Sequence, residues 1–101
     1  MKKMFIAVAG SVLMLSASGS MAAGNAAAGK AKAAVCAGCH GAKGVSAAPM
    51  FPNLAGQKAA YLEKQLKAFR DGTRKDPTMS GMDKPLSDAD MANLAAYFSG
   101  L

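Results

Sequence analysis

Between Lys58 and Arg70 the apolar residues Leu62, Leu66 and Phe69 recur at i, i+4 and i+7, with Glu63, Lys64 and Lys67 on the other side. That period predicts an amphipathic helix, stopped at Asp71-Gly72. A second stripe runs through Met91, Leu94, Phe98 and Leu101, behind Ser87-Asp88-Ala89-Asp90. There the serine is a suitable N-cap, and the acids suit the positive end of the helix dipole. The pattern predicts a closing helix over 88–99, with Gly100 as its C′ residue. Upstream, residues 26–38 are alanine-rich with Lys30 and Lys32 among small residues, and Asn25 stands where an N-cap belongs. A helix that ends at Cys36-Ala37-Gly38-Cys39-His40 is expected. Two stretches lack any period: 41–56, with three glycines and two prolines, and 73–86, with Pro77 and Pro85. Both are predicted to be loops. With no internal repeat and no credible strand, the fold class is all-α.

The first residues do not belong to this pattern. Lys2 and Lys3 precede a small and apolar run over 4–15, followed by the small-residue end Ser16-Ala17-Ser18-Gly19-Ser20-Met21-Ala22-Ala23. These are the three regions of a signal peptide. Cleavage is expected after Ala22 or Ala23. The first is favoured, because Ser20 and Ala22 then occupy the small-residue positions. The apolar run is well short of the about 20 residues that span a bilayer, so no stable membrane insertion is expected after processing. The predicted organisation is a cleaved signal peptide over 1–22 and one domain over 23–101, in the periplasm.

A domain this small buries too little apolar surface to be comfortably stable unaided. Its only two cysteines lie three residues apart, so no disulfide ties distant parts together. Loss of Lys2 and Lys3 lowers the formal charge from +6 to +4. A mildly basic surface favours encounter with acidic patches on partners, and the charge is too dispersed for nucleic-acid binding.

Two thiols in C-x-x-C spacing with an adjacent histidine are the requirement for covalent haem attachment. Each thiol adds across a vinyl group, and the histidine is left beside the iron. Cys36, Cys39 and His40 therefore mark one haem c, which also supplies the apolar body that the short chain needs to pack around. A thioredoxin-like pair would sit in a βαβ context, and a zinc site would need about four ligands, for which no further Cys or His exists. Because His40 is the only histidine, the opposite face of the iron needs a different ligand, and a methionine thioether is the usual one in electron carriers. Met91 lies on an apolar stripe and reads as core. Met50 follows His40 by only ten residues, in a loop expected on the histidine side. Met79 and Met82 lie in the long interhelical loop, and one of them is the expected ligand.

Taken together, these residues resemble a class I c-type cytochrome, in particular a small bacterial periplasmic monohaem cytochrome similar to the single-haem domains of dihaem periplasmic cytochromes. The resemblance covers the helix into Cys36–His40, then Phe51-Pro52-Asn53-Leu54-Ala55-Gly56-Gln57, Tyr61 to Gly72, Met79 through Leu86-Ser87-Asp88, and Leu94-Ala95-Ala96-Tyr97-Phe98. It implies the cytochrome c fold, three to five short helices around one haem. It implies Met79 rather than Met82 as axial ligand, from the interval to Leu86. It also implies Pro52 as the residue whose carbonyl accepts the second ring N–H of His40. The closing helix is expected to cross the first near Gly29. Many relatives carry an aromatic where this chain has Lys32 among alanines, and close packing of small residues is the expected replacement.

The function implied is transfer of single electrons through a His/Met haem, without enzymatic turnover. The expected partners are redox proteins with acidic surfaces, such as a respiratory complex, terminal oxidase or reductase, with Lys43 among the steering charges and the chain a monomer. The alternative is a five-coordinate haem protein that binds a small gas or peroxide.

Overall fold

The computed structural model describes residues 24–101, and the expected signal peptide lies outside the described residues. Five helices follow in order: α1 Ala26–Lys32, α2 Ala37–His40, α3 Ala59–Asp71, α4 Pro77–Asp83 and α5 Asp88–Ser99, with a 3-10 turn, Ala33–Val35, between α1 and α2. No strand occurs among the described residues. The all-α expectation holds, and the helix count falls within the expected range.

The caps explain most of the boundaries. Asn25 accepts the N–H of Ala28 through its side-chain oxygen at 3.0 Å and starts α1. Ser87 and Asp90 form a reciprocal capping box at the start of α5, each side chain accepting the other's backbone N–H at 3.0 Å. Gly72 takes the left-handed conformation, φ 87°, and closes α3 on the carbonyl of Ala68.

Three expectations need correction. The first helix is not continuous to the haem motif. At Ala33–Val35 it tightens, and the Cys36 N–H bonds the carbonyl of Ala33 three residues back. A 3-10 residue advances by about 120° where an α residue advances by about 100°, so the break re-aims the motif turn relative to the face of α1 that packs inward. The stretch 73–86 is not all loop, because it contains α4. Pro77, read as a breaker, stands at the first helical position, where its missing N–H costs nothing and its fixed φ suits the helix. Gly100 is not a left-handed C′ residue, since its φ is −88°. The N–H groups of Gly100 and Leu101 close on Tyr97 and Phe98 by three-residue bonds, which satisfies the last carbonyls without a left-handed turn.

The core lies where α1 and α3 pack on α5. Ala33, Leu62, Leu94, Ala95 and Phe98 form it, with Cys36, Leu54, Leu66, Leu86 and Tyr97 partly buried around them. Met91 is fully buried, as its place on the stripe predicts, whereas Leu101 at the end of that stripe is exposed. So few buried apolar side chains are a small core for a folded domain.

The expected crossing near Gly29 is present and very close. A Cβ added at Gly29 would lie 2.0 Å from the Asn93 carbonyl oxygen and 2.9 Å from the Tyr97 Cβ. Lys32, half exposed, reaches over to Asp90 in the first turn of α5 at 3.5 Å, and buried Gly29 and Ala33 supply the close contact instead of an aromatic. Gly29→Ala is therefore expected to destabilise the haem-loaded protein by a net of about 2 kcal/mol, the overpacking exceeding the gain in helix propensity. Chemical denaturation checks this, and unchanged stability would show that the crossing is looser than described.

Candidate haem attachment site

Cys36 is the joint between the 3-10 turn and α2. Its carbonyl accepts the N–H of Cys39 at 3.3 Å and of His40 at 2.9 Å, so Cys36 to His40 is one closed turn. The i, i+3 spacing puts both sulfurs on one face of that turn, with the imidazole adjoining. Both cysteines are partly buried and unjoined.

His40 is 7% exposed, and its Nδ1 lies 2.8 Å from the carbonyl oxygen of Pro52. A carbonyl only accepts, so Nδ1 carries the proton and the Nε2 lone pair is free for a metal. The Phe51 ring meets the imidazole edge-on, centroids 6.3 Å apart. The intervening loop is folded to bring Pro52 there. Gly41 turns with φ 88°, and a Cβ on it would meet the Val45 carbonyl oxygen at 2.0 Å. The carbonyl of Gly44 accepts the N–H groups of Leu54 and Ala55, the Ser46 hydroxyl donates to the Phe51 carbonyl at 2.5 Å, and the Ser46 N–H donates to the Asn53 side chain at 2.8 Å. Sequence reasoning missed Ser46 and Asn53, because their bonds run to loop backbone and follow no period.

The structure thus brings Cys36, Cys39, His40 and Pro52 together. Met79 stands on a separate element, as the third residue of α4, and is partly buried. The other methionines differ sharply: Met50 is 78% exposed, Met82 is 42% exposed, and Met91 is enclosed in the core. Among the described residues no three His, Cys, Asp or Glu side chains converge to hold a metal by themselves.

Asp83, the last residue of α4, was not singled out by any pattern. It is 1% exposed, and its Oδ2 has no hydrogen-bond partner. Burial pushes its carboxyl up to about 6, against a smaller opposing pull from Arg70. Arg70 is already engaged with Asp88 at 2.6 Å and Asp71 at 2.9 Å. The Cys36 thiol is pushed up as well, first by burial and then by the nearby charge of Asp83.

A family profile described as cytochrome c matches residues 26–101. The chain belongs to the cytochrome c family. Cytochrome c4 of Pseudomonas aeruginosa is 58% identical over 78 residues, which cover 77% of this chain and 39% of that protein. Cytochrome c-554(548) of Halomonas halodenitrificans is 51% identical over 80 residues, covering 76% of this chain and 96% of its own. Reduced recombinant cytochrome c4 from Pseudomonas stutzeri superposes with a TM-score of 0.73 at 50% identity, over 76% of this chain and 45% of the other. This cytochrome therefore spans less than half of these two c4 proteins, and nearly all of the Halomonas one. The residues present fit haem c: two unjoined thiols on one turn and a buried imidazole with one nitrogen spoken for and the other free. One haem c is attached through Cys36 and Cys39.

The orphaned Asp83 has a measurable consequence. Its folded-state value lies above the ordinary carboxylate value, so between about pH 4 and pH 6 the folded state binds more protons than the unfolded one. Stability is lost as pH rises through that window and stays lost above it. Asp83→Asn is expected to be more stable than the parent at pH 7.5, by on the order of 1 kcal/mol, the difference vanishing near pH 4. Urea melts of both haem-loaded proteins at the two pH values check this, and a pH-independent difference would show that Asp83 does not titrate there.

Proposed function

We propose that this cytochrome is a periplasmic one-electron carrier, not an enzyme, in which His40 and Met79 would be the two side chains that hold the haem iron. The observation that carries the proposal is the His40–Pro52 hydrogen bond, which orients a buried imidazole with Nε2 free. Haem c supplies the one-electron ferric/ferrous couple. The chain's residues do the rest: Cys36 and Cys39 would tether the ring, Pro52 holds the proton on Nδ1 of His40, and the core on α5 backs Cys36 at the start of the motif turn. Electron transfer is fastest where little rearranges, and a histidine held through Nδ1 that would give its Nε2 to the iron meets that need.

Two features support Met79 as the second ligand. It is partly buried where Met50 and Met82 are exposed, and it precedes Leu86 by the interval that the resemblance implies. Nothing in the site or among the relatives favours the five-coordinate gas or peroxide reading. No helix among the described residues is long and apolar enough to cross a membrane. Lys43 and Lys58, in and just after the loop that folds over His40, are exposed, and a separate apolar groove of about 350 Å³ is lined by Val35, Met82 and Leu86 with Lys32 at its wall. Exposed basic charge suits a brief encounter between a monomer and the acidic face of a respiratory complex, oxidase or reductase.

Two measurements test this reading. The ferric protein is expected to show the far-red charge-transfer band of sulfur ligation, lost in Met79→Ala and kept in Met82→Ala; the reverse pattern would move the ligand to Met82. Electron-transfer rates with a physiological partner are expected to fall as salt is raised from about 0.01 to 0.15 M, where the screening length shortens from about 30 to about 8 Å. Salt-independent rates would remove the steering role of the lysines.

A further inference from the structure

A thioether offers no hydrogen-bond donor and is only a weak acceptor, so the position of a methionine ligand depends largely on its own backbone and packing. The backbone that carries Met79 is weak by composition. α4 has seven residues, far below the about 12 to 15 at which an isolated helix becomes even marginal, and it includes Thr78, Ser80 and Gly81. A Cβ at Gly81 would meet nothing within 4 Å, so no packing demands glycine there.

One residue offsets this weakness. Asp76, extended at φ −153°, accepts the N–H of Thr78 at 3.1 Å and of Met79 at 2.9 Å on the same carboxylate oxygen. Its own N–H donates to the Ser80 hydroxyl at 3.3 Å, and its carbonyl accepts the Ser80 N–H at 2.8 Å. Pro77 has no N–H to satisfy. The first turn is thus closed from both sides around Met79, and the only side chains that close it are Asp76 and Ser80.

We propose that Asp76 is the positioning residue for Met79. Its carboxylate holds the Met79 N–H, Ser80 locks the carboxylate's own backbone, and this clamp sets how readily an outside ligand replaces the thioether. The inference rests on the reading of Met79 as the iron ligand.

The test uses haem-loaded protein in five forms: parent, Asp76→Ala, Asp76→Asn, Ser80→Ala and Met79→Ala. Imidazole is titrated into the ferric state, and loss of the far-red band is followed. Loss of a cap of this kind corresponds to about fivefold, so Asp76→Ala is expected to bind imidazole about fivefold more tightly than the parent. Asp76→Asn keeps a capping oxygen without the charge and is expected to stay within about twofold of the parent. Thermal unfolding followed by helix content serves as the control, since a general loss of structure would move it while the clamp alone would not move it in proportion. Equal imidazole affinity in parent and Asp76→Ala overturns the proposal, as does equal weakening by Asp76→Asn and Asp76→Ala, which would assign the effect to charge. If Asp76→Ala does not take up haem, Ser80→Ala decides: about twofold tighter imidazole binding supports the clamp, and parental binding overturns it. Met79→Ala separates the two readings, because a far-red band that persists there defeats the ligand assignment, whereas its loss there with unchanged Asp76→Ala defeats the clamp alone.

Discussion

The contact on which the rest of the structure depends is backbone against backbone, where α1 crosses α5 at Gly29. No side chain separates the two helices there, so α1 sits deep enough for Ala33 to join Leu94, Ala95 and Phe98 in the core. The chain continues directly from Ala33 into the 3-10 turn and Cys36. The depth of the crossing therefore sets where the haem motif begins. A second tie, from the Asn25 N–H to the Asn93 side chain at 2.7 Å, fixes the start of α1 on the same helix, so both ends of this short element are registered against α5. A crossing of this kind adds little apolar burial of its own. It makes the position of the motif precise, while stability must come from what packs around it, the covalently held haem included.

What was legible in the sequence follows the same division. The stripes of α3 and α5 could be read because each buries one face of a helix long enough to show its period, and the Ser87 box and Gly72 mark their ends. α4 could not be read by period. It is two turns long, its residues are poor helix formers, and Pro77 looks like a breaker until its place at the first helical position is known. The break in the first helix left no sign because alanine is at home in both α and 3-10 geometry. Asp83 is the least legible of all. A carboxylate in a polar-looking loop reads as solvated, and only the packing of α4 shows that it is enclosed.

At the site the legible part was the chemistry that is local in sequence. Two thiols and a histidine within five residues carry their meaning in their spacing. The role of Pro52 came from the resemblance, and the structure puts its carbonyl on His40 through a loop held by Gly41, Gly44 and Ser46. Those supports lie at separations of two to eleven residues with no regular pattern, so they emerge only once the loop is folded.

The two sides of the proposed iron site are built by different means, and the ligand atoms explain why. Imidazole has a second nitrogen, so a single carbonyl on a glycine-turned loop can aim the first one, and His40 is held by its side chain. A thioether has no second donor of this kind and accepts only weakly, so control of Met79 passes largely through the main chain, where the capping bonds of α4 are found. The histidine side is then stiff and the methionine side conditional. A carrier that keeps both ligands through a redox cycle needs the conditional side held just firmly enough that electron transfer finishes before the helix frays. The short helix, its single cap and its tight first turn are consistent with that balance.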